Sequence, residues 1–490
     1  MGGVVAAGHP VTAEAGADVL RAGGNAVDAA LGAMLTSFVA EPLLTGLGAG
    51  GYMLVVPPED EPVLLDFFVE APGREESAAR APLQPVDVFF GDVVQVFHIG
   101  ASAAGTYGTA SGVCAAAERF GTVPLADLAA PAAAHARAGV ELTPEQAYVF
   151  EILAPIIAAT AESRAVFMPE GRVPLPGDVL RNPELADALE RLAAEGDRPF
   201  YTGDIAERVV SWVAERGGVL GRADLAAYRT VARTPIRVDY HGRDVLLNPP
   251  PNAGGLLIAY ALALLAQVPG PPSTEALVDV MGRAQAERTP GFLEGLAGPG
   301  FQDAFLASRL GATTHISVLD DGGWGCSVTC TNGEGCGEVV PGTGIHLNNM
   351  MGEEDLSPLG FFRHPPGRRL PSMMAPTVAL SGGRPELVVG SAGSNRIRSA
   401  ILQVLVNVLD RGMDAVAAIE APRMHFEGGI VYAEPGVDLA PMIAQRQVVE
   451  RFRDRNLFFG GAQAVLRDPR SGLLSGAADP RRGGSAVIVR

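Results

Sequence analysis

The chain has 490 residues, of which 48% are hydrophobic and 19% are charged, and its mean hydropathy is +0.20. These values exclude the disordered class and predict a globular protein with a large core. A net charge of −18 argues against nucleic acid or an anionic membrane as the main partner, because both require a basic surface.

Two helices are predicted at the start of the chain. Thr12 is expected to cap the first, and Asn25 with Asp28 three residues later is expected to cap the second. No basic segment followed by an apolar leader is visible before them, which predicts a cytoplasmic protein. The glycine-rich stretch "GLGAGG" (46–51) then leads into "YMLVVP" and "PVLLDFFV", which are predicted to form a hairpin.

The rest of the chain divides into a helical part and a strand-rich part. Residues 113–300 are rich in alanine, interrupted by prolines, and predicted to be mostly helical. From Thr313 onward, short strands alternate with turns around one long helix at 395–412. Neither part has enough of both elements to form a core alone, so one continuous α+β sandwich is expected.

A hairpin in the second part brings two threonines together. If its turn lies at 321–323, Val318 faces Cys326, and the ladder continues to Thr313 opposite Thr331. The Cβ atoms of such a pair lie about 5 Å apart. Cross-strand threonine pairs commonly do no more than stabilise the sheet. A threonine at an N-terminus, however, can use its own amine to activate its hydroxyl. This second interpretation requires the chain to be cut directly before Thr313.

Several short segments distributed along the whole chain are further landmarks, that is, stretches with a distinctive sequence. They include "HPVTAEAGADVLRAGGNAVDAA", "GLGAGG", "PPPNAGG", "TTHISVLD", "PSMMAPT", "GSAGSNRI" and "GAADPRR". In this order they resemble the γ-glutamyltranspeptidase family of N-terminal-nucleophile hydrolases. The resemblance implies a four-layer αββα sandwich, made as a precursor that cuts itself between Ala312 and Thr313. The products would be a large subunit (1–312) and a small subunit (313–490) that share one fold and need no cofactor.

The resemblance also implies the catalytic residues. Thr313 would be the nucleophile in self-cleavage and in turnover, and Thr331 would orient it. Gly393 and Ser394 would form the oxyanion hole from backbone N–H groups at a helix start, although an ordinary strand-to-helix turn is the alternative. The implied enzyme is a hydrolase or acyltransferase that cleaves a small amide, γ-glutamyl or related, through an acyl-Thr313 intermediate, with water or an amine as the acceptor.

The residues expected to bind substrate depart from the family pattern. Phe68 in "DFFVEAP" stands where the family has an arginine that grips the substrate α-carboxylate. Met350 and Met373 replace polar residues, which predicts a more apolar pocket. Glu353 would bind a substrate amine or else belongs to a solvated acidic loop. The predicted substrate-binding residues are Phe68, Asn332, Asn349, Met350, Glu353, Ser372 and Met373, with Asn332 a substitute for an asparagine expected at 333. Arg368, Arg369 or Arg396 could bind a carboxylate from elsewhere.

Two other functions stay open from the sequence. The same nucleophile could serve a carbon–carbon bond hydrolase of a secondary-metabolite pathway, which the missing arginine motivates. Alternatively, the chain could be an unprocessed, non-catalytic binding protein. His315 is expected to be structural, and no spacing of His, Asp and Glu predicts a metal site.

Overall fold

The computed structural model describes residues 2–75, 80–90, 93–287, 296, 314–354, 356–357 and 360–490. Within these residues the α-helices are α1 (Pro10–Arg21), α2 (Ala26–Ala40), α3 (Thr109–Phe120), α4 (Leu125–Ala138), α5 (Pro144–Ile152), α6 (Ala154–Ile157), α7 (Ala161–Phe167), α8 (Pro183–Glu195), α9 (Arg198–Tyr201), α10 (Asp204–Glu215), α11 (Arg222–Ala227), α12 (Gly254–Leu265), α13 (Thr274–Ala286), α14 (Ile397–Leu409), α15 (Ala415–Glu420) and α16 (Ala440–Ala444).

The strands of the same described ranges are β1 (Gly3–Ala7), β2 (Gly50–Val56), β3 (Val63–Phe67), β4 (Gln84–Phe90), β5 (Val93–Ile99), β6 (Val140–Glu141), β7 (Val179–Leu180), β8 (Val231–Arg233), β9 (Ile236–Tyr240), β10 (Arg243–Leu247), β11 (Thr314–Asp320), β12 (Gly325–Thr331), β13 (Val339–Val340), β14 (Ile345–His346), β15 (Thr377–Ser381), β16 (Arg384–Ala392), β17 (Met424–Glu427), β18 (Ile430–Ala433), β19 (Val448–Arg451), β20 (Gly461–Arg467), β21 (Leu474–Ala478) and β22 (Ser485–Val489).

Two large antiparallel sheets form the centre of the described structure. The first has seven strands in the order β22-β1-β11-β12-β2-β3-β8, and the second has six in the order β21-β20-β16-β15-β10-β9. Each sheet combines strands from before and after residue 313. The two parts of the chain therefore share one architecture, as a continuous fold requires.

Strand alternation separates the layers of the core. In β1, Val5 and Ala7 pack with the buried residues of the first helical layer, while Val4 and Ala6 belong to the cluster between the sheets. Helices α1, α2 and α3 pack on the first sheet, and α12, α14 and α15 pack on the second. The predicted αββα sandwich is confirmed.

The two helices at the start of the chain test the predicted caps. Asn25 and Asp28 form the predicted capping box of α2. The prediction for Thr12 is wrong, because α1 begins at Pro10 and the ring of His9 accepts a hydrogen bond from the backbone N–H of Val11. Proline at the first helical position extends the helix toward the N-terminus of the chain.

The part predicted to be mostly helical also supplies strands. A hairpin of β9 and β10 forms the edge of the second sheet. His241 and Gly242 connect the two strands, and both have positive φ angles of 51° and 79°, as tight hairpin turns require. The sequence prediction missed this hairpin.

The hairpin of β11 and β12 has the predicted register. Val318 pairs with Cys326, and Thr314 pairs with Cys330 at the end of the described ladder. The predicted pairing of Thr313 with Thr331 is one step beyond this ladder. Thr313 and Ala312 themselves lie outside the described residues.

Candidate active site

One cavity of about 80 Å³ collects most of the predicted site residues. Seven of them line it, and they come from segments far apart in the chain: Phe68, Thr331, Met350, Glu353, Ser372, Gly393 and Ser394. Ala312 and Thr313, the predicted junction and nucleophile, fall outside the described residues. The fold thus assembles the surroundings predicted for the nucleophile around one space.

Thr331 lies at the end of β12 and lines this cavity. Its side-chain oxygen accepts a hydrogen bond of 2.8 Å from the backbone N–H of Gly333. Its backbone pairs with Gly50, the first residue of β2. Because the residue is only 7% exposed and is held on both sides, its hydroxyl has a defined position at the cavity wall.

The turn at Gly393 and Ser394 connects the end of β16 to α14. Gly393 has a φ angle of 118° and Ser394 one of 51°, both in the left-handed region. A Cβ atom added to Gly393 would lie 2.6 Å from the Cα atom of Gly460. Both this close approach and the positive φ angle require glycine at this position. Backbone N–H groups at such a turn into a helix can bind negative charge.

A pair of carboxyl groups lies at another part of the cavity. Glu334 and Glu353 share a hydrogen bond, and burial raises the pKa of Glu334. A Cβ atom added to Gly333 would lie 2.6 Å from Oε1 of Glu353. This packing accounts for glycine at position 333, where the resemblance led us to expect an asparagine. The pair favours one shared proton, because two buried like charges repel each other.

Phe68 forms an apolar wall and is 1% exposed. Its ring stacks on Tyr52 with 5.5 Å between the ring centroids. Its carbonyl oxygen accepts hydrogen bonds from the Tyr228 hydroxyl at 2.8 Å and from Nη1 of Arg369 at 2.6 Å. The phenyl ring is therefore a fixed part of the site, and it offers no donor to a carboxylate.

The arginines considered as substitutes have different positions. Arg369 does not line the cavity, and its guanidinium lies 3.5 Å from carboxylate oxygens of Asp66 and Glu70. It also stacks over the ring of Tyr228 at 4.4 Å. Arg396 does line the cavity, where its Nε atom donates to the carbonyl oxygen of Phe458 at 3.0 Å.

Three of the predicted substrate-binding residues lie behind the lining. Asn332 donates to the carbonyl oxygen of His346 at 3.2 Å, and Asn349 accepts from the backbone N–H of Glu334 at 3.1 Å. Met373 packs in the core of the second sheet. In this geometry, these side chains support the wall of the cavity rather than its surface.

His315 is buried on β11, as expected for a structural residue. Its ring nitrogens lie 2.8 Å from the hydroxyls of Thr329 and Ser317. Burial lowers the pKa of His315 to about 3, so the ring is neutral at physiological pH. It lines a second cavity next to the first.

Sequence reasoning missed several lining residues. Gln95, Glu334 and Arg482 are polar, and Leu44, Val149, Ile152, Leu153, Leu356 and Leu457 give the cavity an apolar surface. Apart from Arg482, which ends the landmark "GAADPRR", none of them belongs to a motif with a recognisable spacing. The arrangement combines a hydroxyl, a turn that can bind an oxyanion and an apolar wall, which together suit acyl transfer.

In the described part of the chain, no helix combines the length and the apolar character needed to cross a bilayer. The same residues contain no group of three or more His, Cys, Asp and Glu side chains that could hold a metal ion.

Comparison with known proteins gives a consistent assignment. The family model described as gamma-glutamyltranspeptidase matches residues 12–294 and 300–489. The Acylase ACY 1 proenzyme of Pseudomonas sp. (strain SE83) is 32% identical over 525 residues, which cover 99% of this chain and 93% of the relative. The glutathione hydrolase proenzyme of Escherichia coli (strain K12) is 30% identical over 540 residues, which cover 98% and 90%.

The fold comparison agrees with the sequence comparison. The crystal structure of cephalosporin acylase from Bacillus halodurans superposes with a TM-score of 0.84 at 26% identity, covering 99% of this chain and 95% of that one. The family match and the relatives extend over nearly the whole chain and over most of each relative. The chain belongs to the gamma-glutamyltranspeptidase family and is an enzyme of its N-terminal-nucleophile hydrolase and acyltransferase kind.

Proposed function

We propose that the chain cuts itself between Ala312 and Thr313 and then uses Thr313 to cleave a small amide. The register of β11 and β12 supports this proposal, because its continuation by one residue would set Thr313 opposite Thr331. Thr331 lines the same cavity as Gly393 and Ser394. A nucleophile at this point would therefore have an orienting hydroxyl and an oxyanion-binding turn within one space.

Self-cleavage would begin with the Thr313 hydroxyl. The Thr313 oxygen attacks the carbonyl carbon of Ala312, and the peptide nitrogen leaves as the free amine of Thr313. Water then hydrolyses the resulting ester and leaves a carboxylate on Ala312. The new amine is the base that the second reaction needs.

Turnover uses the same atoms on a substrate. The amine accepts the proton of the Thr313 hydroxyl as its oxygen attacks the substrate carbonyl. Negative charge then develops on the carbonyl oxygen, where backbone N–H groups of Gly393 and Ser394 would stabilise it. The substrate amine leaves with the proton, and water or a second amine releases the acyl group from the ester.

The cavity favours an acyl group that lacks the γ-glutamyl α-carboxylate. Phe68 occupies the position where an arginine would bind that carboxylate, and most of the wall around it is apolar. One group of relatives is named acylase and another glutathione hydrolase. The apolar wall favours the acylase alternative, in which the acyl group carries no α-carboxylate, over cleavage of a γ-glutamyl amide.

Matched nitroanilides test this function. We expect the wild type to release 4-nitroaniline faster from the pentanoyl than from the γ-glutamyl anilide. Thr313→Ala should abolish cleavage and turnover, Thr313→Ser should retain both in part, and Thr202→Ala, a surface control, should retain both in full. An active Thr313→Ala chain would refute the proposal.

The same assay separates the two alternatives. A chain that is cut but releases 4-nitroaniline from neither anilide would support the carbon–carbon bond hydrolase. A chain that is never cut would support the binding protein.

A further inference from the structure

The turn that carries Gly393 and Ser394 has a strained backbone. Ser394 is not a glycine, yet its φ angle of 51° lies in the left-handed region that residues with a Cβ atom rarely adopt. Such a conformation persists only where surrounding contacts hold it in place. Close packing against Gly460 restrains Gly393, and the side chain of Asn395, the residue after Ser394, supplies a further restraint.

A stripe of polar residues runs from this turn along α14. Asn395 lies in the turn Ser394–Arg396 that leads into the helix, and Ser399 and Gln403 follow it at intervals of four residues. This spacing places the three side chains on one face, and all three are buried. Buried polar groups require hydrogen-bond partners, and strand β17 provides them.

The two inner members of the stripe anchor β17 on α14. The side-chain amide of Gln403 donates to the carbonyl oxygen of Met424 at 2.9 Å and accepts from its backbone N–H at 3.1 Å. One turn closer to the start of the helix, Oγ of Ser399 lies 2.8 Å from Nδ1 of His425. These contacts fix the position of β17 along the helix, so that its last residue, Glu427, lies beside the turn.

Glu427 makes the contact nearest to the turn. Its Oε1 atom accepts a hydrogen bond of 2.8 Å from Nδ2 of Asn395, and its Oε2 atom lies 3.3 Å from Nε2 of His425. Partial burial opposes ionisation of Glu427, but the hydrogen bond to His425 and the charges of Arg396 and Arg398 outweigh it and lower the pKa to about 2. The acceptor is therefore a carboxylate, which binds an amide N–H more strongly than a neutral oxygen does.

We propose that Glu427 is a positioning residue, which acts through Asn395 to hold the oxyanion-binding turn in its strained conformation. Gly393 and Ser394 line the cavity of the candidate site and Asn395 does not, so the pair acts on the reaction only through the backbone of the turn. The inference rests on the proposed function and adds the contact that keeps the backbone N–H groups directed at the substrate carbonyl. A misplacement of about 1 Å in such a site can cost a factor of about 100 in rate.

Matched asparagine variants test this role. Asn395→Ala should lower kcat ten- to a hundredfold for the nitroanilide that the wild type cleaves faster, and should change KM less than threefold. Asn407→Ala makes the same change at another buried position of α14, where Nδ2 donates to the carbonyl oxygen of Ala418 at 3.3 Å. This residue lies about 18 Å farther along the helix, so its replacement should leave kcat within threefold.

Exchange of donor and acceptor tests the contact itself. Asn395→Asp sets two carboxylates against each other and should lower kcat at least as far as Asn395→Ala. Glu427→Gln keeps an acceptor oxygen and should retain most of the rate, whereas Glu427→Ala should match Asn395→Ala. The double variant Asn395→Asp/Glu427→Gln restores the hydrogen bond in the reverse direction, so its kcat should be at least tenfold above that of Asn395→Asp. Glu450→Ala, at an exposed residue on β19 of the same small sheet, should behave as the wild type.

The outcomes separate positioning from a merely structural role. An Asn395→Ala enzyme with the wild-type kcat refutes the inference, and so does an Asn407→Ala enzyme that loses kcat to the same extent. A double variant no faster than Asn395→Asp also contradicts it. If Asn395→Ala fails to fold, Glu427→Ala decides in its place, because that side chain is 30% exposed, and an unchanged kcat again refutes the inference. A wild type that is uncut or inactive on both anilides would instead refute the proposed function, and this inference with it.

Discussion

Glu41 gives a prediction whose size follows from its burial. Its carboxyl group is 5% exposed at the end of α2 and accepts a hydrogen bond of 3.0 Å from the Thr12 hydroxyl. Burial raises its pKa from the ordinary 4.5 to about 7, against smaller opposing effects of Thr12 and Arg482. Glu41→Gln keeps the shape and an acceptor for Thr12 but removes the titration.

The sign and size of the effect follow from proton linkage. Between the two pKa values the folded chain binds more protons at Glu41 than the unfolded chain does, so this group's contribution to stability falls as the pH rises. The full shift corresponds to about 3.4 kcal/mol, of which about 2.5 kcal/mol falls between pH 5 and pH 8. From pH 5 to pH 8, the free energy of unfolding of Glu41→Gln should therefore rise by about 2.5 kcal/mol relative to that of the parent.

The measurement is urea unfolding at pH 5, 6.5 and 8, monitored by the fluorescence of Trp212 and Trp324. Both chains should carry Thr313→Ala, so that each remains a single uncut chain. Glu61→Gln, whose side chain is 92% exposed, is the matched control and should show no such trend. A free-energy difference between Glu41→Gln and its parent that stays constant with pH would refute the reasoning.

Three further predictions concern the candidate site. Gly393→Ala should lower kcat at least a hundredfold, because the new Cβ atom meets Gly460 and displaces an oxyanion donor; normal turnover by a folded variant would contradict this. Thr331→Val should slow self-cleavage and turnover at least tenfold, whereas Thr331→Ser keeps the acceptor for the Gly333 N–H and most of the rate; equal rates in a time course of the two variants would contradict the role of the hydroxyl. Phe68→Arg should raise kcat/KM for the γ-glutamyl anilide at least tenfold relative to the pentanoyl anilide, and an unchanged ratio would show that this position does not select the acyl group.

Local sequence signals predicted local structure well. The capping box of Asn25 and Asp28 and the pairing of Val318 with Cys326 are both confirmed, since each depends on residues close in the chain. The hairpin turn at His241 and Gly242 was missed, because the prediction of a mostly helical segment over residues 113–300 took in β9 and β10.

The candidate site was only partly predictable. Comparison with a family pattern pointed to Thr331, Gly393 and Phe68, and all three line one cavity. Arg482 ends the landmark "GAADPRR" but was not singled out, and Glu334 lies in no landmark, because the importance of both arises from burial near each other and near Arg396 in the folded chain. Burial and long-range proximity are properties of the packing, which residue spacing does not encode.

The most direct test of the central claim is N-terminal sequencing of the purified protein, combined with intact mass measurement. The account predicts two polypeptides, one of which begins at Thr313 and has a mass that corresponds to residues 313–490. A single polypeptide of 490 residues that stays uncut on long incubation would contradict it.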